Sequence, residues 1–233
     1  NIFDQQRWVD SIYSKLSLEE KIGQLFMPMV FTERDSSHFH FTLNLIKKYK
    51  VGGLVFSLGG PVEQTKWLNA FQRESKVPLM TAMDAEWGVA MRLDSVMPFP
   101  WPMTLGAIKD STLLRKIGKR MGMQEKRLGI HYSFGPTLDI NTNPKNPIIG
   151  NRSYGSSPDR VIRQALAIMN GHQEAGILTS GKHFPGHGDT SKDSHNTLPT
   201  VSFSSKRLKE VEFEPYRRLI NSGLTSVMVA HLN

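Results

Sequence analysis

Short β-rich runs alternate with longer amphipathic stretches along the chain. Gln24 to Val30, Gly53 to Ser57, Pro78 to Asp84, Ile130 to Asp139, Ile177 to His183 and Thr225 to His231 are compact apolar runs with turn residues nearby, the pattern of strands buried on both faces. Between most of them the spacing turns helical. After Pro158, the residues Val161, Ile162, Ala165, Leu166 and Met169 fall on one helical face, as a helix packed on a sheet requires. Ser17 and Glu20 have the spacing of a capping box, Pro61 and Pro158 sit where first-turn prolines belong, and Gly176 and Gly223 fit helix ends. Strand and helix in repetition predict βα units feeding a parallel sheet, hence an α/β class.

Polar residues stand where the predicted strands end: Asp84, Asp139, Lys182 with His183, and His231. In a TIM (β/α)8 barrel the strand ends converge on one mouth, which is where chemistry gathers. An open doubly wound sheet also places its sites at strand ends, so this pattern alone leaves both architectures open. The segments Asn141 to Pro158 and Phe184 to Pro199 are rich in Gly, Pro, Asn and Ser and too long for simple connectors, which makes them functional candidates.

Composition changes this picture little. With 233 residues, 39% hydrophobic and 21% charged, the chain can bury a full core, and the reading is one domain over residues 1–233. No apolar stretch is long enough to span a bilayer. The formal charge of +8 raises nucleic-acid binding. Its clusters (Lys47, Lys48 and Lys50; Arg115, Lys116, Lys119 and Arg120; Lys206, Arg207 and Lys209) lie in separate helical segments and read as solvated faces, so no nucleic-acid partner is expected. The absence of cysteine excludes disulfides and thiol metal sites but suits an exported or a cytoplasmic protein equally.

The chemistry concentrates in Lys182-His183-Phe184-Pro185-Gly186-His187-Gly188-Asp189-Thr190, continuing to Asp193-Ser194-His195. One reading is acid/base catalysis, with Asp193 orienting the His195 ring so that it can protonate a leaving-group oxygen. A rival is a metal-dependent hydrolase using His183, His187, Asp189 and His195. A phosphate loop does not fit, because no Lys-Ser/Thr pair follows the glycines.

Lys-His-Phe-Pro-Gly-His-Gly followed by Asp-Ser-His resembles the signature of the β-N-acetylglucosaminidase (β-hexosaminidase) branch of glycoside hydrolase family three. Asn151-Arg152-Ser153-Tyr154-Gly155, Gly135-Pro136-Thr137-Leu138-Asp139 and Val227-Met228-Val229-Ala230-His231 are similar to family segments in the same order, from about Leu18 onward. The resemblance implies a TIM-barrel-type catalytic domain and retaining removal of terminal β-linked N-acetylglucosamine, as from cell-wall fragments, without a cofactor or metal. It implies His195 as general acid/base with Asp193 as its partner, and Asp84, Arg152, Lys182, His183 and Arg92 as sugar-binding residues. His187 and Asp189 are taken to shape the loop, and His231 to be a satisfied histidine near the core. For Arg152 and Lys182 a buried structural ion pair is the alternative.

Two departures qualify the likeness. Where the family runs Asp-Gln-Glu-Gly-Gly-Arg, this chain has Asp84-Ala85-Glu86-Trp87-Gly88-Val89, so Trp87 is either a packing residue or an aromatic face for a sugar. The family's nucleophile is an aspartate on a later strand, whereas the sixth predicted strand ends just before Asn233. The expectation is a barrel truncated after about six strands, inactive alone and completed by a C-terminal segment. A carbohydrate-binding module without catalysis is the non-enzymatic alternative.

Overall fold

The computed structural model describes residues 2–190 and 203–232. The chain divides into two compact units, Asn1–Ala82 with Arg92–Ser95, and Met83–Met91 with Val96–Asn233.

In the first unit, α1 (Ile2–Tyr13) precedes α2 (Leu18–Gly23), which opens on the capping box expected at Ser17 and Glu20: each side chain accepts the other's backbone N–H. Then follow β1 (Met29–Val30), α3 (Ser36–Tyr49), β2 (Gly53–Phe56), α4 (Pro61–Glu74) and β3 (Met80–Met83), whose last residue belongs to the second unit. Asp35 caps α3, accepting the Ser37 N–H, and Pro61 stands in the first turn of α4. β1 and β2 pair in parallel, Met29 beside Val55, and every residue of β2 is buried. Phe39 stacks on Phe71 at 5.0 Å. Beside α2, an apolar cavity of about 510 Å³ is lined by Ile22, Phe26, Met27, Leu45 and Tyr49.

The second unit contains α5 (Pro102–Gly106), α6 (Ser111–Arg127), β4 (Tyr132–Ser133), α7 (Pro158–Glu174), β5 (Leu178–Phe184), α8 (Ser205–Arg207), a π-helical turn Leu208–Glu212, α9 (Phe213–Asn221) and β6 (Ser226–Val229). β4 and β5 pair in parallel, as do β5 and β6, and the Phe134 N–H donates to the Met83 carbonyl at 2.9 Å. The strands follow chain order, β1-β2-β3-β4-β5-β6, in a six-stranded parallel α/β sheet.

All six predicted strands exist, but several are shorter than their apolar runs. Gln24 caps α2, so only Met29–Val30 of the first run is strand. The run Ile130 to Asp139 keeps only Tyr132–Ser133, because Pro136 has no N–H to donate. Pairing resumes beyond it as a single bridge between Thr137 and Lys182.

The face predicted for the helix after Pro158 is observed: Val161, Ile162, Ala165 and Met169 of α7 are buried, with Leu166 partly so. α6 and α7 approach so closely that two glycines meet backbone. A Cβ on Gly171 would lie 2.2 Å from the Arg115 carbonyl oxygen and 2.5 Å from the Lys119 nitrogen; one on Gly118 would lie 2.4 Å from the Ile168 carbonyl oxygen. In an exposed helix interior Gly→Ala stabilises by about 1 kcal/mol. Here Gly171→Ala should instead destabilise by about 1–3 kcal/mol as the helices are wedged apart, read as a lowered urea midpoint at unchanged slope.

Candidate active site

β3 hands the chain to Asp84 and then to a tight turn in which the Gly88 N–H donates to the Ala85 carbonyl at 2.9 Å. Gly88 sits at φ +84, a conformation that side-chain-bearing residues rarely adopt. Within this turn Glu86 points inward, and its side chain is wholly buried. An isolated buried carboxylate would be prohibitive, so its partners decide the local structure. Arg152 meets it with a two-pronged contact, Nε to Oε2 at 2.9 Å and Nη2 to Oε1 at 2.6 Å. The Lys182 ammonium lies 2.8 Å from Glu86 Oε1 and donates to Asp84 Oδ1 at 2.7 Å. Burial pushes Glu86 up, but Lys182 and Arg152 more than offset it and hold the carboxyl far below its ordinary value. Burial disfavours the Arg152 charge, while Glu86, Asp139 and Asp84 raise its pKa overall.

Arg152 belongs to a 3-10 turn, Gly150–Arg152, in the long Gly- and Asn-rich loop. Asn146 shapes that loop. Its side-chain oxygen accepts the N–H groups of Ile148 and Ile149 at 2.9 and 2.8 Å, and its amide donates to the His187 carbonyl at 2.8 Å. The next residue after Arg152, Ser153, donates to the Asp139 carbonyl at 2.7 Å.

Asp139 is the other fully buried carboxylate of the site. It accepts the N–H groups of His183 and His187, the latter at 2.7 Å, and the Nδ1–H of His183 at 2.6 Å. On the far side of that ring, Nε2 lies 3.3 Å from Arg152 Nη2. A guanidinium can only donate, so in this contact Nε2 is the acceptor and Nδ1 carries the proton given to Asp139. Burial pushes Asp139 up, but the adjacent His183 ring and the two amides win and hold it low.

The residues thus form two layers. Asp84, Arg152 and His183 expose 20%, 18% and 18% of their side chains; beneath them lie Lys182 at 2%, with Glu86 and Asp139 at zero. Four sugar-site candidates from the sequence, Asp84, Arg152, Lys182 and His183, come together in the second unit. Arg92 belongs to the first unit and is half-buried there. Asp193 and His195 lie outside the described residues. His187 hydrogen-bonds Thr190 through Nδ1 at 2.7 Å, and Asp189 accepts from Thr142 at 3.1 Å. His231 is exposed and stands beyond the end of β6, not near the core. Among the described residues no group of three or more His, Cys, Asp or Glu is placed to hold a metal ion. Glu86 was missed in the sequence; the clue was an acidic residue inside an otherwise apolar strand-end turn.

The profile of the Glycosyl hydrolase family 3 N terminal domain matches residues 17–233. The chain is 32% identical over 202 residues to a curated Beta-hexosaminidase A from Pseudoalteromonas piscicida, a match that covers 81% of this chain and 34% of that protein. Among solved structures, a glycoside hydrolase family 3 beta-N-acetylglucosaminidase from Paenibacillus sp. str. FPU-7 is 38% identical with a TM-score of 0.85, covering 93% of this chain and 42% of that one. The beta-glucoside phosphorylase BglX is 28% identical with a TM-score of 0.89, covering 96% of this chain and 40% of that one. The chain therefore spans well under half of these proteins.

Glu86 and Asp139 are both held below their ordinary values. The sign follows: as pH falls below about 4.3 the unfolded chain takes up these protons first, so their stabilisation is present above that pH and is lost progressively below it. The urea midpoint should fall between about pH 4.5 and 2, and Glu86→Gln, though less stable near neutrality, should show a shallower acid loss. Equal slopes for both proteins would remove Glu86 from the account.

Proposed function

The chain belongs to glycosyl hydrolase family 3, whose N-terminal domain has a TIM-barrel-type fold, and from that premise we propose that the full-length protein is a retaining, exo-acting β-N-acetylglucosaminidase. The observation that carries this reading is the partly exposed trio Asp84, Arg152 and His183, fixed from below by Lys182, Glu86 and Asp139. Sugar hydroxyls need donors and acceptors held at fixed angles, and a layer whose charges are already paired presents them without reorganising. In this reading Asp84 accepts hydroxyl protons of the terminal N-acetylglucosamine, while Arg152 and the remaining Lys182 N–H donate to its oxygens. His183, proton on Nδ1, meets the sugar at its outer edge.

Catalysis is assigned to the Asp193-Ser194-His195 segment, with His195 as general acid/base oriented by Asp193, and the nucleophilic carboxylate to a segment outside the sequence described. Glycosides of the cell wall are the substrate class. Similarity to both a glycosidase and a phosphorylase makes the acceptor, water or phosphate, a matter for product analysis with and without phosphate.

Assayed as the full-length protein on aryl β-N-acetylglucosaminides, Arg152→Ala should lower kcat/KM by about 30-fold or more, corresponding to a lost charge-assisted contact of about 2 kcal/mol. A folded Arg152→Ala protein with unchanged kcat/KM would remove that residue from the pocket, and sugar binding without turnover by the wild-type protein would favour a binding module.

His195→Ala should depress turnover of alkyl glycosides far more than of activated aryl glycosides, because good leaving groups need little protonation. Equal losses on both would exclude His195 as the acid.

A further inference from the structure

Between α8 and α9 the chain winds as a single π-helical turn, Leu208–Glu212. This rare form closes its hydrogen bonds one residue further along than an α-helix does, and it recurs at functional sites. Here it ends on Glu212, a carboxylate only 2% exposed in a stretch whose other charged residues face water or lie part-way out. Arg207 meets it from α8: Nη2 donates to Oε1 at 3.2 Å, and the guanidinium lies over the Phe203 ring.

The second oxygen of Glu212 faces the glycine-rich turn that follows β5. A Cβ on Gly186 would lie 2.7 Å from Oε2 and 3.1 Å from the Glu212 Cβ, so the carboxylate occupies the place that a side chain at Gly186 would take. Two residues on, Gly188 is pressed onto the Ile140 carbonyl, again with no room for a Cβ. The same turn aims the sugar site. The Gly186 N–H donates to the His183 carbonyl at 2.8 Å, and the amides of His183 and His187 both converge on Asp139. Beside Glu212, Phe213 stacks on Phe184 at 5.2 Å, and Tyr216 meets that ring edge-on at 5.2 Å. The start of α9 thus holds the end of β5 with its rings and the turn beyond it with its carboxylate.

Resting on the sugar site proposed above, we infer that Glu212 is a positioning residue for it: without touching substrate, it fixes the turn that presents His183 to the terminal sugar. Filling space alone would be served better by an apolar side chain. Burial and the nearby carboxylates Asp139 and Asp189 push Glu212 up, against the pull of Arg207. A carboxylate kept there at that cost has its shape and its Arg207 contact as its use.

The test uses the full-length protein, with an aryl β-N-acetylglucosaminide as substrate and free N-acetylglucosamine as inhibitor. KM and Ki do not depend on how much of the enzyme is folded, so they separate aim from stability. Glu212→Ala should raise KM and Ki together by about fivefold, with kcat changing by about twofold or less. Glu212→Gln keeps the outline and an oxygen for Arg207, and should stay within about twofold of the wild-type constants. Glu212→Asp withdraws the carboxylate from Gly186 by one methylene; it should raise both constants, and it decides the matter if Glu212→Ala does not fold. In a His183→Ala background Glu212→Ala should add little, because the two act through one turn. A further rise of about fivefold there would take the turn out of the account. KM and Ki unchanged in the folded Ala or Asp variant would overturn the positioning role and leave the proposed activity standing. A wild-type protein that did not cleave the glycoside would sink the activity itself, and the role of Glu212 with it.

Discussion

The buried carboxylate of Glu86 is the constraint around which the second unit is arranged. Placed in a dry interior, it must be met by cations, and the two that meet it come from distant stretches of the sequence: Arg152 from a long loop and Lys182 from β5. Each is in turn committed elsewhere, Lys182 to Asp84 and Arg152 to the far nitrogen of His183. Removing one partner would leave a buried charge uncompensated, which commonly costs about 3–5 kcal/mol. The strand ends are therefore pulled into register by electrostatics at one end and by apolar packing of α6 and α7 along their length. Asp139 acts in the same way on the neighbouring strand end, gathering His183 and His187 onto a single carboxylate.

Much of the fold could be read from periodicity because the physics involved is local. The capping box at Ser17, the first-turn prolines Pro61 and Pro158 and the helix-ending Gly176 and Gly223 all act within a few residues, and each is where the pattern put it. The strands announced themselves as apolar runs, although β6 is only half-buried and ends on the exposed Val229. Their ends were harder to place, since the extent of a strand depends on whether a neighbour offers a partner for each N–H. Pro136 illustrates the point: it interrupts pairing inside a run that looks continuous by hydrophobicity alone.

The candidate site was legible to a different depth. Asp84, Lys182 and His183 showed themselves as polar residues closing apolar strands, and Arg152 by its motif. The roles of the groups beneath them did not show. Whether Glu86 faces inward or outward depends on a turn ending in Gly88 at positive φ, and whether Asp139 is a ligand contact or a support depends on which amides converge on it. Such facts belong to three-dimensional convergence, which no single-residue preference encodes. The charge runs are mostly surface, as with Arg115 and Lys119, which meet Glu174 on the exposed side of α6 and α7, but Arg207 is half-buried and pairs with the buried Glu212.

The turn at Ala85–Gly88 separates two kinds of evolutionary freedom within adjacent positions. Position 86 is locked, because its replacement must satisfy two buried cations at once. Position 87 is attached to the same backbone, but its ring stacks on Trp101 and takes no part in those ion pairs. Drift can exchange the stacked residue without removing a partner from the ion pairs, so adjacent positions of one turn answer to different constraints. Divergence among relatives of this chain should then be concentrated at the rim, and the pairing beneath it inherited intact.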